Sequence, residues 1–136
     1  MNIADYLADQ LYKEGIRYIF GVPGGASIPW IDAFRNAGIE FILTTGESGA
    51  GIMADVISRL TGIPGVCHAT FGPGATNIST GTGYALLDRS PVIVLTSEMD
   101  ELMISRTTQM NIDHQQLFRP LTKATFRLNS DNAATI

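Results

Sequence analysis

The sequence predicts an α/β fold: a parallel sheet with helices on both faces. Three observations carry that expectation. Short β-branched runs alternate with apolar segments at helical spacing, the rhythm of strand–helix–strand units. Two of the strand ends run into glycine-rich loops, Gly21-Val22-Pro23-Gly24-Gly25 and Gly72-Pro73-Gly74-Ala75-Thr76-Asn77. A third strand end carries a lone acid, Glu47, among small residues. In open α/β sheets ligands collect at the carboxyl ends of strands, so these three loops are the first place to look for chemistry.

The elements follow in order. Ile3, Leu7 and Leu11 recur at helical spacing behind Asn2, a suitable cap. Tyr18-Ile19-Phe20 reads as a strand that stops at the first glycine loop. Ser27 is placed to cap a second helix with Ile28, Ile31 and Phe34 along one stripe, ending at Gly38. The run Phe41-Ile42-Leu43-Thr44-Thr45 is the next strand. The helix after Glu47 carries Ile52, Met53, Val56, Ile57 and Leu60 on one side and is stopped by Gly62 and Pro64. Val66 to Thr70 is a third strand. From Ala75 to Leu87 the helix is rich in Ser, Thr and Gly; each interior glycine costs about 1 kcal/mol against alanine, so close packing against another backbone must compensate. Pro91 to Thr96 reads as a strand buried on both faces. A short helix is expected around Asp113 to Phe118 and a last strand near Thr122 to Leu128.

Composition bounds the function. At 136 residues the chain fits one domain with a real core. Charged residues make up 16%, below the roughly 25% of ordinary soluble domains, which points to a surface covered by a partner. A net charge of −4, with the nine Lys and Arg scattered, argues against nucleic acid. The single cysteine, Cys67, excludes an internal disulfide and suits a reducing compartment. No apolar stretch reaches the ~18 residues of a membrane span, and Met1 to Asp5 lacks the basic start of a signal peptide. The expected location is cytoplasmic.

Several familiar motifs are absent. Neither glycine loop contains Gly-Lys-Ser/Thr. The second has Asn77 where a dinucleotide fingerprint places its third glycine, and Val92 where it wants an acid. No Gly-x-Ser-x-Gly occurs. Cys67 and His68 are strand neighbours pointing to opposite faces, which suits core and near-site packing rather than a metal. Glu47 by itself could be a helix-start acid favouring the macrodipole, worth ~0.3–1 kcal/mol. Its small neighbours Gly46, Gly49 and Ala50 also leave room for a ligand, and an acid desolvated by a ligand is suited to exchanging a proton with it.

Taken together, Ile19 to Gly25, the Glu47 turn, Pro64-Gly65-Val66-Cys67, Gly72 to Asn77, Asp88-Arg89-Ser90-Pro91 and Arg119-Pro120-Leu121-Thr122-Lys123 resemble the pyrimidine-binding domain of thiamine-diphosphate-dependent enzymes. The resemblance is to the acetolactate synthase branch, the family of large, catalytic subunits acting on 2-keto acids. It implies a domain over 1–128, with 129–136 beginning a linker or a last helix. In that family the acid matching Glu47 hydrogen-bonds N1′ of the cofactor's aminopyrimidine and helps release the thiazolium C2 proton. Val22, Pro23, Gly24 and Gly25 would line one wall of the pyrimidine site, Thr70, Pro73 and Asn77 the other, and Gln109 would face a small 2-keto-acid substrate. The reaction class is that of a lyase or carboligase.

The resemblance also implies what lies elsewhere. The family binds the cofactor's diphosphate and Mg²⁺ through a Gly-Asp-Gly motif in another domain, and this chain has no such motif. A diphosphate-binding domain or subunit would complete the site, within a homodimer or homotetramer, and the isolated chain would be inactive. No residue here supports a requirement for FAD. Thr45-Gly46 and Ser48 stand where family members commonly carry Arg-His and Gln, and Gln109-Met110 where simple pyruvate decarboxylases carry a histidine pair. Two other readings stay open: a non-catalytic binding or assembly domain that keeps the fold, and a nucleotide-binding regulatory module resting on the glycine loops.

Overall fold

The computed structural model describes residues 2–99 and 110–128. Four strands form one all-parallel sheet: β1 (Tyr18–Val22), β2 (Glu40–Leu43), β3 (Gly65–Ala69) and β4 (Val92–Thr96), in the order β2-β1-β3-β4. The helices between them are α1 (Ile3–Lys13), α2 (Ile28–Ala37, entered through a 3₁₀ turn at Gly25–Ser27), α3 (Glu47–Thr61) and α4 (Pro73–Asp88), followed by a short α5 (His114–Phe118). The predicted α/β class and the parallel pairing are both present.

Side chains alternate across each strand, so the sheet separates two cores. On one face Ile19, Val66, Phe34 and Ile39 pack with Ala4, Ala8 and Leu11 of α1. On the other, Phe20, Cys67 and Ala69 pack with Ala50 and Ala54 of α3 and Ala75 and Ile78 of α4. Asn2 caps α1 as expected, in a reciprocal box with Asp5. Asp113 caps α5, its Oδ1 accepting from the Gln116 N–H at 2.9 Å.

Five local expectations need correction, the first being Ser27, whose side chain makes no cap bond to α2. Burial is complete along β3, whereas β4 is only half-buried along its length, because among the described residues β4 is the sheet edge. No strand forms over 121–128. Ile28, expected on the core stripe of α2, is exposed. The largest difference concerns α3. Its inward face is Ala50, Gly51, Ala54, Asp55 and Ser58, while Ile52, Met53, Val56 and Leu60 face outward, Leu60 at 78% exposure. Small residues turn inward because α3 must approach α4 closely: a Cβ on Gly51 would lie 2.8 Å from the Gly81 Cα. Where two backbones nearly touch, bulky apolar side chains have no room and are displaced to the far side. That close approach is the tertiary compensation expected for the glycine-rich α4. Asp88 and Arg59 join the same pair of helices, with Arg59 Nη1 2.7 Å from Asp88 Oδ2.

Candidate functional site

The chain leaves β1 toward β2 on one side and leaves β3 toward β4 on the other. The adjacent strands β1 and β3 therefore bound the switch point, where a crevice opens at the carboxyl ends. All three loops singled out from sequence lie there. Val22 is the half-buried last residue of β1, Pro23 is exposed, and Gly25 opens the 3₁₀ turn. Gly24 touches the loop after β3: a Cβ there would fall 2.8 Å from Thr70 Oγ1. Thr70 in turn sits against Gly74, whose Cβ would meet Thr70 Cγ2 at 3.2 Å and Glu47 Oε1 at 3.4 Å. Larger residues at either glycine would fill the junction.

Glu47 is the first residue of α3, behind the extended Gly46. The end of β2 is fixed by Thr44, whose N–H donates to Gly21 O at 3.0 Å and whose hydroxyl donates to Gly46 O at 3.0 Å. The Glu47 carboxylate leans onto the first turns of α4, where Asn77 Nδ2 donates to Oε2 at 3.2 Å. Ser48, which the sequence reading noted only as a departure, locks this arrangement by donating to Asn77 O at 2.7 Å. One acid thus stands between the amino ends of two parallel helices, both of which favour negative charge. Open space borders it, since Cβ atoms on the neighbouring Gly46 and Gly49 would each meet nothing within 4 Å.

Pro73 occupies the first turn of α4, exposed, behind Gly72. Gly72 has φ of +67°, and a Cβ on it would strike Met110 Cα at 2.8 Å. Glycine is required there both by the backbone and by the returning chain. Gln109 itself lies outside the described residues. Structure thus brings Gly24, Thr70, Gly74, Glu47 and Asn77 into one contiguous chain of contacts. The sequence named Gly74 within its loop and Ser48 as a departure but gave neither a contact, because contacts between the starts of two helices leave no spacing signal.

Cys67 and His68 are both buried. Burial pushes the Cys67 thiol up to about 12 and brings His68 down to about 4. Further along the carboxyl edge, His114 Nδ1 lies 2.9 Å from Thr96 Oγ1, and Arg127 Nε donates to Glu98 Oε2 at 2.6 Å. Desolvation lowers His114 as well. Among the described residues no three His, Cys, Asp or Glu side chains gather where they could hold a metal ion, and no helix is long and apolar enough to cross a membrane.

Residues 1–117 match the family described as thiamine pyrophosphate enzyme, N-terminal TPP binding domain. The chain belongs to this family. Its relatives include a probable acetolactate synthase large subunit of Methanocaldococcus jannaschii, 41% identical over 94% of this chain and 22% of that protein. The acetolactate synthase isozyme 2 large subunit of Escherichia coli is 39% identical, over 96% of this chain and 24% of its own. Acetolactate synthase of Bacillus subtilis is 36% identical, over 88% and 21%. The chain therefore spans less than a quarter of the length of these relatives.

The residues present fit the aminopyrimidine of such a cofactor. A flat heteroaromatic ring needs walls without side-chain bulk and an acid at its edge. Gly25, where a Cβ would meet nothing within 4 Å, leaves such room, and Glu47 is an acid at the same end of the sheet.

Proposed function

We propose that this chain supplies the aminopyrimidine half of a thiamine diphosphate site in an acetolactate synthase-like enzyme acting on small 2-keto acids. The observation that carries the proposal is the placement of Glu47: its carboxylate stands at the mouth of the β1/β3 switch point, hydrogen-bonded to Asn77, with open space at the neighbouring Gly46 and Gly49. When bound, thiamine diphosphate supplies a stabilised carbanion at its thiazolium C2, which carries 2-keto-acid chemistry.

The protein's part is to place an acid and exclude bulk. Glu47 holds a proton against the ring nitrogen of the aminopyrimidine. Asn77 orients the carboxylate through Oε2, leaving Oε1 for the ligand. Val22, Pro23, Gly24 and Gly25 form one wall, and Thr70 and Pro73 the other. Gln109 would face the substrate.

The diphosphate and Mg²⁺ need oxygen ligands in a defined array, which in this reading come from a second domain or subunit. The exposed apolar strip of α3 supports such a partner. Phe20, Ile52, Met53, Val56, Ile57 and Leu60 line one groove there, and contiguous apolar surface of this kind marks interaction sites. A homo-oligomer is part of the same proposal.

The test is Glu47→Gln in the assembled enzyme, following deuterium exchange at C2 of bound thiamine diphosphate. The amide cannot donate the proton, so exchange should slow by at least the ~10²–10⁴-fold that general acid–base groups contribute. Exchange at the parental rate, with cofactor bound, would remove Glu47 from the mechanism.

A further inference from the structure

Beneath the first glycine loop lies a buried polar pair that the functional reading does not use. Ser27 and His68 are both buried, and Ser27 Oγ is 2.7 Å from His68 Nε2. Ser27 was expected to cap α2, but its side chain makes no cap bond to that helix. Its Oγ instead accepts from the Gly24 N–H at 3.0 Å, while the Ser27 N–H donates to Gly24 O at 2.9 Å. His68 stands beside Leu95 of β4 in the strand register. Phe41 closes the pocket edge-on, its ring centroid 6.0 Å from that of His68.

Donors and acceptors then order themselves. In a neutral imidazole Nε2 can accept from the Ser27 hydroxyl. The Ser27 oxygen is left to accept from Gly24. The chain Gly24–Ser27–His68 then runs in one direction, from amide to hydroxyl to imidazole. A buried network satisfied in this way fixes one conformation of what it holds.

We propose that Ser27 and His68 are positioning residues for the cofactor site: they hold the Gly24 amide, and through it the Gly24-Gly25 wall, against the sheet. The loop has few other constraints. Pro23 has no amide hydrogen, and a Cβ on Gly25 would meet nothing within 4 Å. The pair ties this loop to β3, the strand on the other side of the switch point. Burial keeps His68 neutral at ordinary pH, as the ordering requires.

This inference rests on the pyrimidine-site reading, and the experiment separates the two. Ser27→Ala, His68→Leu and the double variant are made in the native protein that contains this chain. Thiamine diphosphate affinity is measured by calorimetry, and backbone hydrogen exchange is measured in the peptide spanning 21–27. Each single variant leaves a buried partner unpaired, so the dissociation constant should rise and exchange accelerate, each about tenfold. The turnover rate at saturating cofactor should stay within about twofold, since neither residue touches the ligand. Because both act through one chain, the double variant should cost no more than the worse single variant.

His68→Gln, whose Oε1 can accept from Ser27, should restore most of the affinity and guards against a variant that fails to fold. Unchanged affinity and exchange in both single variants would overturn the proposal, as would strictly additive losses. A parent protein that binds no thiamine diphosphate would instead overturn the cofactor reading, while exchange alone would still show whether the pair holds the loop.

Discussion

Alanine at Gly51 or Gly81 should destabilise the chain even though alanine is the better helix former. Gly51 sits in α3 and Gly81 in α4, and a Cβ on either would lie 2.8 or 2.6 Å from the other glycine's Cα. Carbon atoms pack at about 3.5–4.0 Å, so the helices would have to separate by about 1 Å. The obstacle is backbone, which cannot rotate away. Overpacking of this kind costs about 1–3 kcal/mol, against about 1 kcal/mol gained in helix propensity. The net loss at either site should be about 1 kcal/mol or somewhat more.

Two glycines on the same helices provide the contrast. Gly49 of α3 has nothing within 4 Å of a Cβ, and Gly83 of α4 meets only Leu121 Cδ2 at 3.5 Å, an ordinary contact. Alanine there should stabilise, by up to about 1 kcal/mol. Urea unfolding followed by the single tryptophan, Trp30, packed on Phe34 of α2, reads all four variants. The midpoint should fall for Gly51→Ala and Gly81→Ala and rise for the other two. Stabilisation at Gly51 or Gly81 would refute the argument that close helix approach dictates these residues. The first turns of the same helices carry Glu47 and Asn77, four residues before each glycine. Separation should therefore also break their 3.2 Å hydrogen bond.

Three further outcomes are expected. His68 is held near 4 in the folded chain against 6.5 unfolded; below pH 6.5 the unfolded chain takes up a proton that the folded chain refuses. Stability should thus fall from pH 6.5 to 4, by about 3 kcal/mol from this residue, and denaturation midpoints across that range in parent and His68→Leu would show whether the slope belongs to it. Asp55 is fully buried, neither carboxylate oxygen has a hydrogen-bond partner, and Arg59 Nη1 stands 3.6 Å from Oδ2. Arg59→Met should cost about 3 kcal/mol in urea unfolding, more than a surface pair would, and Asp55→Asn in that background should recover much of it. Cys67, buried with its thiol pushed up to about 12, should resist a disulfide reagent at pH 8 in the native chain and react at once in denaturant.

Much of the fold and part of the site were legible in the sequence, for local reasons. The strand–helix alternation, the cap at Asn2, and the glycine stops at Gly38 and Gly62 depend on backbone preferences within a few residues. Parallel pairing then places every loop that follows a strand at the same sheet edge, so Glu47 and both glycine loops had to share one end. What spacing could not give is which face of α3 turns inward. Its strong apolar stripe argues for burial, yet Gly51 and Gly81 bring two backbones together and turn the stripe out.

Equally illegible were the partners of Glu47 and His68. Asn77 lies 30 residues from Glu47, and Ser27 lies 41 from His68. Only the strand order β2-β1-β3-β4 makes such residues neighbours. Sequence determined the elements and the edge at which the loops gather, because hydrophobic period and turn chemistry are local. Tertiary structure decided which side chains meet there, because that depends on strand order and on how closely two helices can approach.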